Sequence, residues 1–456
     1  MNPAQPYKLV ADGLSLWTDF LKLMSEYDSV YLNSYKQTLQ QSDATTTPNS
    51  FYESFLSNID SNLAVHLRSK RFTSILSSYI NSLLDLRSSC RETGMFFGNF
   101  DKVIYDLKKS VFHFPTAEDL RRSPTATPSE VIFSKGKMEL IRYRSEKPGA
   151  KPIVITYAQI NRFNLMDLKP DRSVIRNLLS QGFDVYLVNW GYSGSEDNKL
   201  SIKDYFEYLD DVISLVCRST NRQSIPLIGY CWGGLISVIY SAIKKDKIES
   251  LTLVATPIDF SQDNSILAVW SREMDIDKII DEFGQFDPLI LDAAFYLRNP
   301  ARNYDKYMKF IHKMNDAAFV EDFMVLERWL YNTPPVPGEF ARKIMKDCYQ
   351  NNILVANKME IAGQKIKLDE IDFPLLVVYA EKDDLVSPDS SLAINNIVAS
   401  KEKKILHING GHVGLCISHA AHKQLWPDIG KWIMTQDSKP ISLNKETKSR
   451  IETIAV

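Results

Sequence analysis

The run Ile225-Pro-Leu-Ile-Gly-Tyr-Cys-Trp-Gly-Gly234 constrains this chain more than any other stretch. Residues 225–228 are apolar and follow a polar run, 219–224, which reads as a short buried strand. Gly229-x-Cys231-x-Gly233 comes next, and 235–243 is an apolar helix. A strand that turns straight into a helix leaves no room for side chains beside the tip, so 229 and 233 must be glycine. Cys231 is then held at the top of the strand, next to a helix N-terminus. Free backbone N–H groups and the helix dipole there suit negative charge on a nucleophile or an oxyanion. A glycine-rich turn around a structural cysteine has the same pentapeptide, so the rest of the chain must supply the context.

The chain has 456 residues, which suits one large catalytic domain plus an appendage. Lys and Arg number 54 against 56 Asp and Glu, and no basic block stands out, which argues against a nucleic-acid partner. No run reaches the roughly 18 apolar residues of a transmembrane helix, and the first residues lack the pattern of a signal peptide. Five cysteines stand far apart, at 90, 217, 231, 348 and 416. An odd number without CxxC argues against a disulfide framework or a zinc site. A reducing, cytoplasmic setting follows, and it suits a free catalytic thiol.

Residues 1–128 are expected to form a helical N-terminal domain with a linker. Leu14, Trp17, Phe20, Leu21 and Met24 repeat at three and four, one apolar helix face. Further helical patterns cover 51–67, 72–86 and 97–107, with a polar break at 42–50. This region reads as a layer on the catalytic domain or as a surface for a partner subunit or apolar particle. The Ser/Thr/Pro run 123–128 is a stiff linker.

A catalytic domain is expected over 129–438. Strands at 131–134, 139–144, 151–157, 183–190, 225–228 and 249–256 alternate with helices at 172–180, 202–218 and 235–243. Ser201 is a fair N-cap with Asp204 three residues on. The alternation predicts a mostly parallel sheet with helices on both faces. It breaks at about 259–369, a helical stretch rich in aromatic residues that sits where a lid would be inserted. The sheet resumes at 373–379 and 403–408, a helix covers 419–434, and 439–456 is a polar tail.

These pieces in this order predict an α/β fold, specifically the α/β-hydrolase fold with a helical lid insertion and an N-terminal helical region. In that fold the nucleophile, acid and histidine follow one another along the chain. Cys231 is the nucleophile. Asp383 follows a late strand, with Asp384 as its neighbouring competitor. His412 follows the last strand beside Gly410-Gly411. His407 lies within a strand and reads as structural, and His419 and His422 belong to the next helix. His412 would accept the thiol proton, and Asp383 would hold the ring in the useful tautomer. The backbone N–H of Trp232 is one oxyanion donor, and the loop around 159–161, with Ile160 at its centre, is expected to supply the second. Cysteine makes the acyl enzyme itself a thioester, so exchange with a thioester donor is nearly balanced. That suits acyl transfer to a hydroxyl more than hydrolysis, and transfer needs the water exclusion a lid provides.

The sequence resembles the polyhydroxyalkanoate synthases, most closely the catalytic subunit of the two-subunit (class III and IV) enzymes. The likeness runs over about 139–434. It is carried by Tyr157-Ala-Gln-Ile-Asn-Arg162, Met166-Asp-Leu168, Asp171-Arg-Ser173, Asp184-Val-Tyr-Leu-Val-Asn-Trp-Gly191, Gly229-Tyr-Cys-Trp-Gly-Gly234, Thr256-Pro-Ile-Asp-Phe260, Tyr349-Gln-Asn-Asn352 and Gly410-Gly-His-Val-Gly414. The resemblance implies polymerisation of (R)-3-hydroxyacyl-CoA, with 3-hydroxybutyryl-CoA the default, into polyester with release of coenzyme A. It implies Cys231 as acyl carrier, His412 as base and Asp383 as third member. A homodimer, a possible second synthase subunit and residence on polymer granules are implied as well. Acyl-CoA is substrate, so no cofactor and no metal is expected. The chain departs from the family pattern at Asn189, usually Asp, and at Asp384, usually His. Trp232 is bulky enough to narrow the acyl pocket, and the N-terminal helical region is longer than usual for two-subunit catalytic chains.

Two other readings compete. A cysteine-type hydrolase resembling dienelactone hydrolase shares a Gly-Tyr-Cys-x-Gly-Gly elbow, but that family is smaller and lacks a long lid. A granule scaffold with a dead hydrolase fold would not need Cys231, Asp383 and His412 intact.

Overall fold

The computed structural model describes residues 5–42, 65–92, 125–299, 315–330 and 332–436, with isolated positions between 50 and 62 and between 305 and 313. The expected helix at 97–107, most of the break at 42–50 and the tail after 438 lie outside the described residues. So do the side chains of Leu14, Trp17, Phe20, Leu21 and Met24.

Among the described residues, α1 (Gln5–Gln41) and α2 (Lys70–Glu92) lead the chain, and residues 65–67 just before α2 are helical as well. α1 and α2 pack on each other, and polar side chains at the seam find partners: Asp19 accepts hydrogen bonds from Ser78 at 2.8 Å and from Ser82 at 2.9 Å. The linker is pinned rather than free. The Thr127 N–H and hydroxyl both donate to the buried Asp167 carboxylate at 2.8 Å.

Eight strands then build one sheet. They are β1 (Glu130–Lys135), β2 (Met138–Tyr143), β3 (Lys151–Thr156), β4 (Phe183–Asn189), β5 (Ile225–Tyr230), β6 (Ile248–Val254), β7 (Leu375–Ala380) and β8 (Lys403–Ile408). Their spatial order is β1-β2-β4-β3-β5-β6-β7-β8. β1, β2 and β4 pair antiparallel, and every pairing from β4 through β8 is parallel. Strands β3, β5 and β6 are buried at every residue. Helices cover both faces of a parallel sheet, so the apolar centres at 153–155 and 225–228 need not alternate with polar residues, and the buried Glu249 of β6 finds a partner in Lys151 of β3.

The crossover helices begin and end where the sequence says they should. Helix α3 (Val174–Gln181) starts at Ser173, whose hydroxyl accepts from the Arg176 N–H, and stops at Gly182, φ +99°. Only glycine takes that left-handed geometry without steric cost. Helix α4 (Ile202–Ser219) carries the expected Ser201/Asp204 capping box. Helix α5 (Trp232–Ile243) follows β5 directly and is buried over nearly its whole length.

The insertion after β6 is helical, as expected: α6 (Ile266–Glu273), α7 (Ile276–Phe283), α8 (Pro288–Leu297), α9 (Ala317–Leu330) and α10 (Gly338–Lys343). It also holds what helical periodicity cannot announce. Gln285–Phe286 pairs with Val336–Pro337, Glu360–Ile361 with Gln364–Lys365, and Ile344–Gln350 is a π-helical turn. His407 is not a core residue. β8 is an edge strand, and His407 is half exposed and paired with Glu381 at 2.8 Å. Among the described residues no helix is long and apolar enough to cross a membrane.

Candidate active site

The turn between β5 and α5 explains its own glycines. A Cβ on Gly229 would lie 2.3 Å from the Gly234 Cα, and one on Gly233 would lie 2.3 Å from the Thr156 carbonyl oxygen. Backbone occupies both places, so neither clash can be relieved by rotating a side chain. Gly234 is equally constrained, with its would-be Cβ 1.9 Å from the Thr256 hydroxyl oxygen. Cys231 itself sits at φ +53°, ψ −125°, a strained backbone for a residue with a side chain. Its N–H donates to the Val254 carbonyl at 2.9 Å, which ties the tip of the turn to the end of β6. As N-cap of α5 it is followed by N–H groups that have no carbonyl one turn back. The first belongs to Trp232.

The structure brings His412 and Asp383 together. His412 Nδ1 lies 2.8 Å from Asp383 Oδ2, and the two side chains are 7% and 1% exposed. The other carboxylate oxygen, Oδ1, accepts from the Leu385 N–H at 2.9 Å and the Val386 N–H at 3.0 Å. Cys231 faces the same ring. Burial opposes charge on His412, but Asp383 and Cys231, as charges and hydrogen-bond partners, outweigh it and raise the His412 pKa well above the ordinary imidazole value. Tyr230 supports the ring from below: its hydroxyl donates to the His412 carbonyl at 3.2 Å, and the ring centroids are 5.1 Å apart.

Asp384 points elsewhere. It pairs with Arg298 of the lid at 3.0 Å. Asn189, the other departure, hydrogen-bonds Glu139 at 2.9 Å at the strand end, and its side-chain oxygen accepts from the Gly191 N–H at 3.0 Å.

Cys231 and His412 open into one cavity of about 200 Å³. The sheet side contributes Tyr157, Ile160, Asn161, Tyr230 and Trp232 to its walls. The insertion contributes Trp270, Phe286, Phe295, Arg298, Trp329 and Tyr349, so the stretch expected as a lid forms much of the enclosure. Phe283, Phe319 and Phe323 do not line it. Tyr296, Tyr304, Tyr307 and Tyr331 lie outside the described side chains. Ile160 stands on the wall beside Asn161, which takes the left-handed φ of +66° that asparagine tolerates. Trp329 braces this loop by donating to the Arg162 carbonyl at 2.9 Å.

Some neighbours of the site escaped the sequence reading. The Trp232 indole donates to the Tyr349 hydroxyl at 3.0 Å, and Tyr349 packs edge-on against Phe260 at 4.5 Å. The Asn352 amide bonds both Asp259, at 2.8 Å, and the Phe260 N–H, at 3.0 Å. Two short motifs, 256–260 and 349–352, are thus one network behind Trp232. Their unusual wording was a signal, but their contact was not visible. Arg298 and the position of Trp270 had no signal beyond residue type.

Comparisons with known proteins agree with this fold. The chain matches the alpha/beta hydrolase fold family over residues 165–416. Residues 115–178 match the family described as Poly-beta-hydroxybutyrate polymerase (PhaC) N-terminus. The chain is 34% identical over 345 residues to the Poly(3-hydroxyalkanoate) polymerase subunit PhaC of Haloarcula marismortui, covering 72% of this chain and 73% of that protein. The subunit of the same name from Haloferax mediterranei is 35% identical over 333 residues, 71% of this chain and 68% of that protein. That of Thiocystis violacea is 34% identical over 312 residues, 67% and 88%.

Proposed function

This chain belongs to the poly(3-hydroxyalkanoate) polymerase family, and we propose that Cys231 is the side chain on which it carries the acyl group. It is an acyltransferase that polymerises 3-hydroxyalkanoates, and the hydrolase alternative is not favoured. The observation that carries the site assignment is the shared cavity. Cys231 at the strained turn and His412, backed by Asp383, meet in one largely apolar space.

The chemistry follows from that arrangement. His412 takes the thiol proton of Cys231, and the sulfur attacks the carbonyl carbon of an (R)-3-hydroxyacyl-CoA. The N–H of Trp232, with a second donor from the loop at Ile160, faces the oxyanion. The bond to the coenzyme A sulfur breaks, and that sulfur leaves with the proton held by His412. The hydroxyl of a second hydroxyacyl group then gives its proton to His412, its oxygen attacks the Cys231-bound carbonyl, the carbon–sulfur bond to Cys231 breaks, and the Cys231 sulfur takes that proton back. One ester forms, one thioester is lost, and no water is consumed. Asp383 holds the Nδ1 proton throughout. The lid walls keep water from intercepting the acyl enzyme.

The small cavity with its aromatic walls favours a short acyl chain such as 3-hydroxybutyryl. A homodimer, a contribution from a second synthase subunit and residence at the polymer granule surface belong to the same reading. The test is to incubate the purified chain with 3-hydroxybutyryl-CoA, follow free thiol and weigh chloroform-soluble polymer. Thiol release matched by polymer, and abolished in a folded Cys231→Ala, is expected. Matched release of free acid, or retained turnover without Cys231, would sink the assignment.

A further inference from the structure

Trp270 belongs to two neighbourhoods at once. On one side it lines the cavity that holds Cys231 and His412. On the other it closes a separate apolar cluster with Val30, Leu67, Phe72, Leu76 and Ile266. Four of those residues come from the N-terminal helical region. The indole N–H donates to the Leu67 carbonyl at 2.8 Å. Phe72 stacks on the indole, with centroids 5.8 Å apart and planes 27° from parallel. Trp270 is 3% exposed and Phe72 is fully buried, so water supports neither. Leu267 and Ala294 also line the cavity while packing against the outer cluster. The wall between the N-terminal helical region and the candidate active site is therefore one side chain thick.

The N-terminal side of this contact is itself braced. Glu26 of α1 pairs with His66 at 3.0 Å and with Arg71 at 2.7 Å, which holds the 66–72 turn against α1. His66 meets Phe72 edge-on at 5.5 Å. A second tether ties α2 to the lid, from Asp85 to Lys278 of α7 at 2.8 Å.

We propose that the N-terminal helical region shapes the acyl cavity from outside: Leu67 and Phe72 are positioning residues that press Trp270 into the cavity wall, and so set how long an acyl chain reaches Cys231. The physical reason is that α6 has only eight residues. So short a helix has little stability of its own and takes its position from what packs on it. Without the Phe72 ring, the void lies on the outer side of the indole. Trp270 relaxes outward, and the cavity deepens. The proposal rests on the reading that this cavity receives the acyl group.

The test uses the full chain carrying Phe72→Ala, with Phe72→Leu as the milder variant should alanine prevent folding. The primary readout is kcat/KM for 3-hydroxyhexanoyl-CoA relative to 3-hydroxybutyryl-CoA. The expected result is a rise of about tenfold in that ratio, the low end of what a methylene decides in an apolar pocket. The second readout is the rate at which iodoacetamide labels Cys231, followed by mass mapping of the peptide, and it is expected to rise as well. A variant that melts earlier yet keeps the wild-type ratio and labelling rate would overturn the proposal, because the helices would then only stabilise. Labelling needs no turnover. If the wild type releases no coenzyme A even with a second synthase subunit added, the functional reading fails, while the labelling comparison still decides whether Phe72 positions the wall.

Discussion

Replacing Asp383 by Asn tests the candidate site with almost no change of shape. In the native arrangement Oδ1 accepts two backbone N–H groups, from Leu385 and Val386, while Oδ2 faces His412 Nδ1 at 2.8 Å. The amide that replaces the carboxylate has one oxygen and one NH2. The two N–H donors fix where the oxygen goes, because turning the NH2 toward them would set donor against donor. The NH2 must then face Nδ1, which can only accept. The ring proton is thereby forced onto the nitrogen nearer Cys231, and His412 can no longer take the thiol proton. General base action contributes about 10²–10⁴-fold, so kcat/KM for coenzyme A release should fall by that factor, about 3–5 kcal/mol. Asp384→Asn is the matched control. Its carboxylate pairs with Arg298, with both side chains partly exposed, and a pair of that kind is worth about 0–1 kcal/mol. Its effect should stay within about fivefold. The assay is thiol release from 3-hydroxybutyryl-CoA, with circular dichroism to show that both variants fold. If Asp383→Asn stays within tenfold of wild type, or Asp384→Asn is the more damaging change, the tautomer argument is wrong.

Further predictions follow from the same geometry. Cys231→Gly should be more stable than Cys231→Ala by about 1–3 kcal/mol in urea unfolding, because glycine relieves the strain at φ +53°; equal stabilities would remove the claim of strain. Tyr349→Phe leaves the buried Trp232 indole without its acceptor, at a cost of about 1–3 kcal/mol. A double-mutant cycle with Trp232→Phe should show that the two losses are not additive. The raised His412 pKa gives a pH signature. The pairing stabilises the fold fully below the unfolded value of 6.5 and is lost as pH rises through the raised folded value. Thermal melts should therefore show the wild type losing its advantage over Asp383→Asn on the alkaline side. A stability difference that is flat across that range would contradict the assigned pairing.

Much of the architecture was legible because it is written in local chemistry. Short apolar runs marked the centres of β3 and β5. Gly182 stopped α3, Ser201 and Asp204 opened α4, and glycines at 229 and 233 announced a turn too tight for side chains. Each of these signals acts within a few residues, which is why one sequence suffices to read it. Cys231, Asp383 and His412 could also be named, since chain order after particular strands is a sequence property. The choice between Asp383 and Asp384 could not be made from spacing, because adjacent residues in a loop differ only in which way they point. The backbone donors of Leu385 and Val386 and the guanidinium of Arg298 part them. Likewise the sequence shows Trp270 as one aromatic residue among many. Its two-sided role exists only because Leu67 and Phe72, about two hundred residues earlier, pack on its outer face. The sequence by itself determined the sheet, the turn and the types of reacting groups, because those depend on neighbours along the chain. Which carboxylate reaches the imidazole, and what presses on the cavity wall, was decided by tertiary structure, because only packing brings distant side chains within a few ångströms.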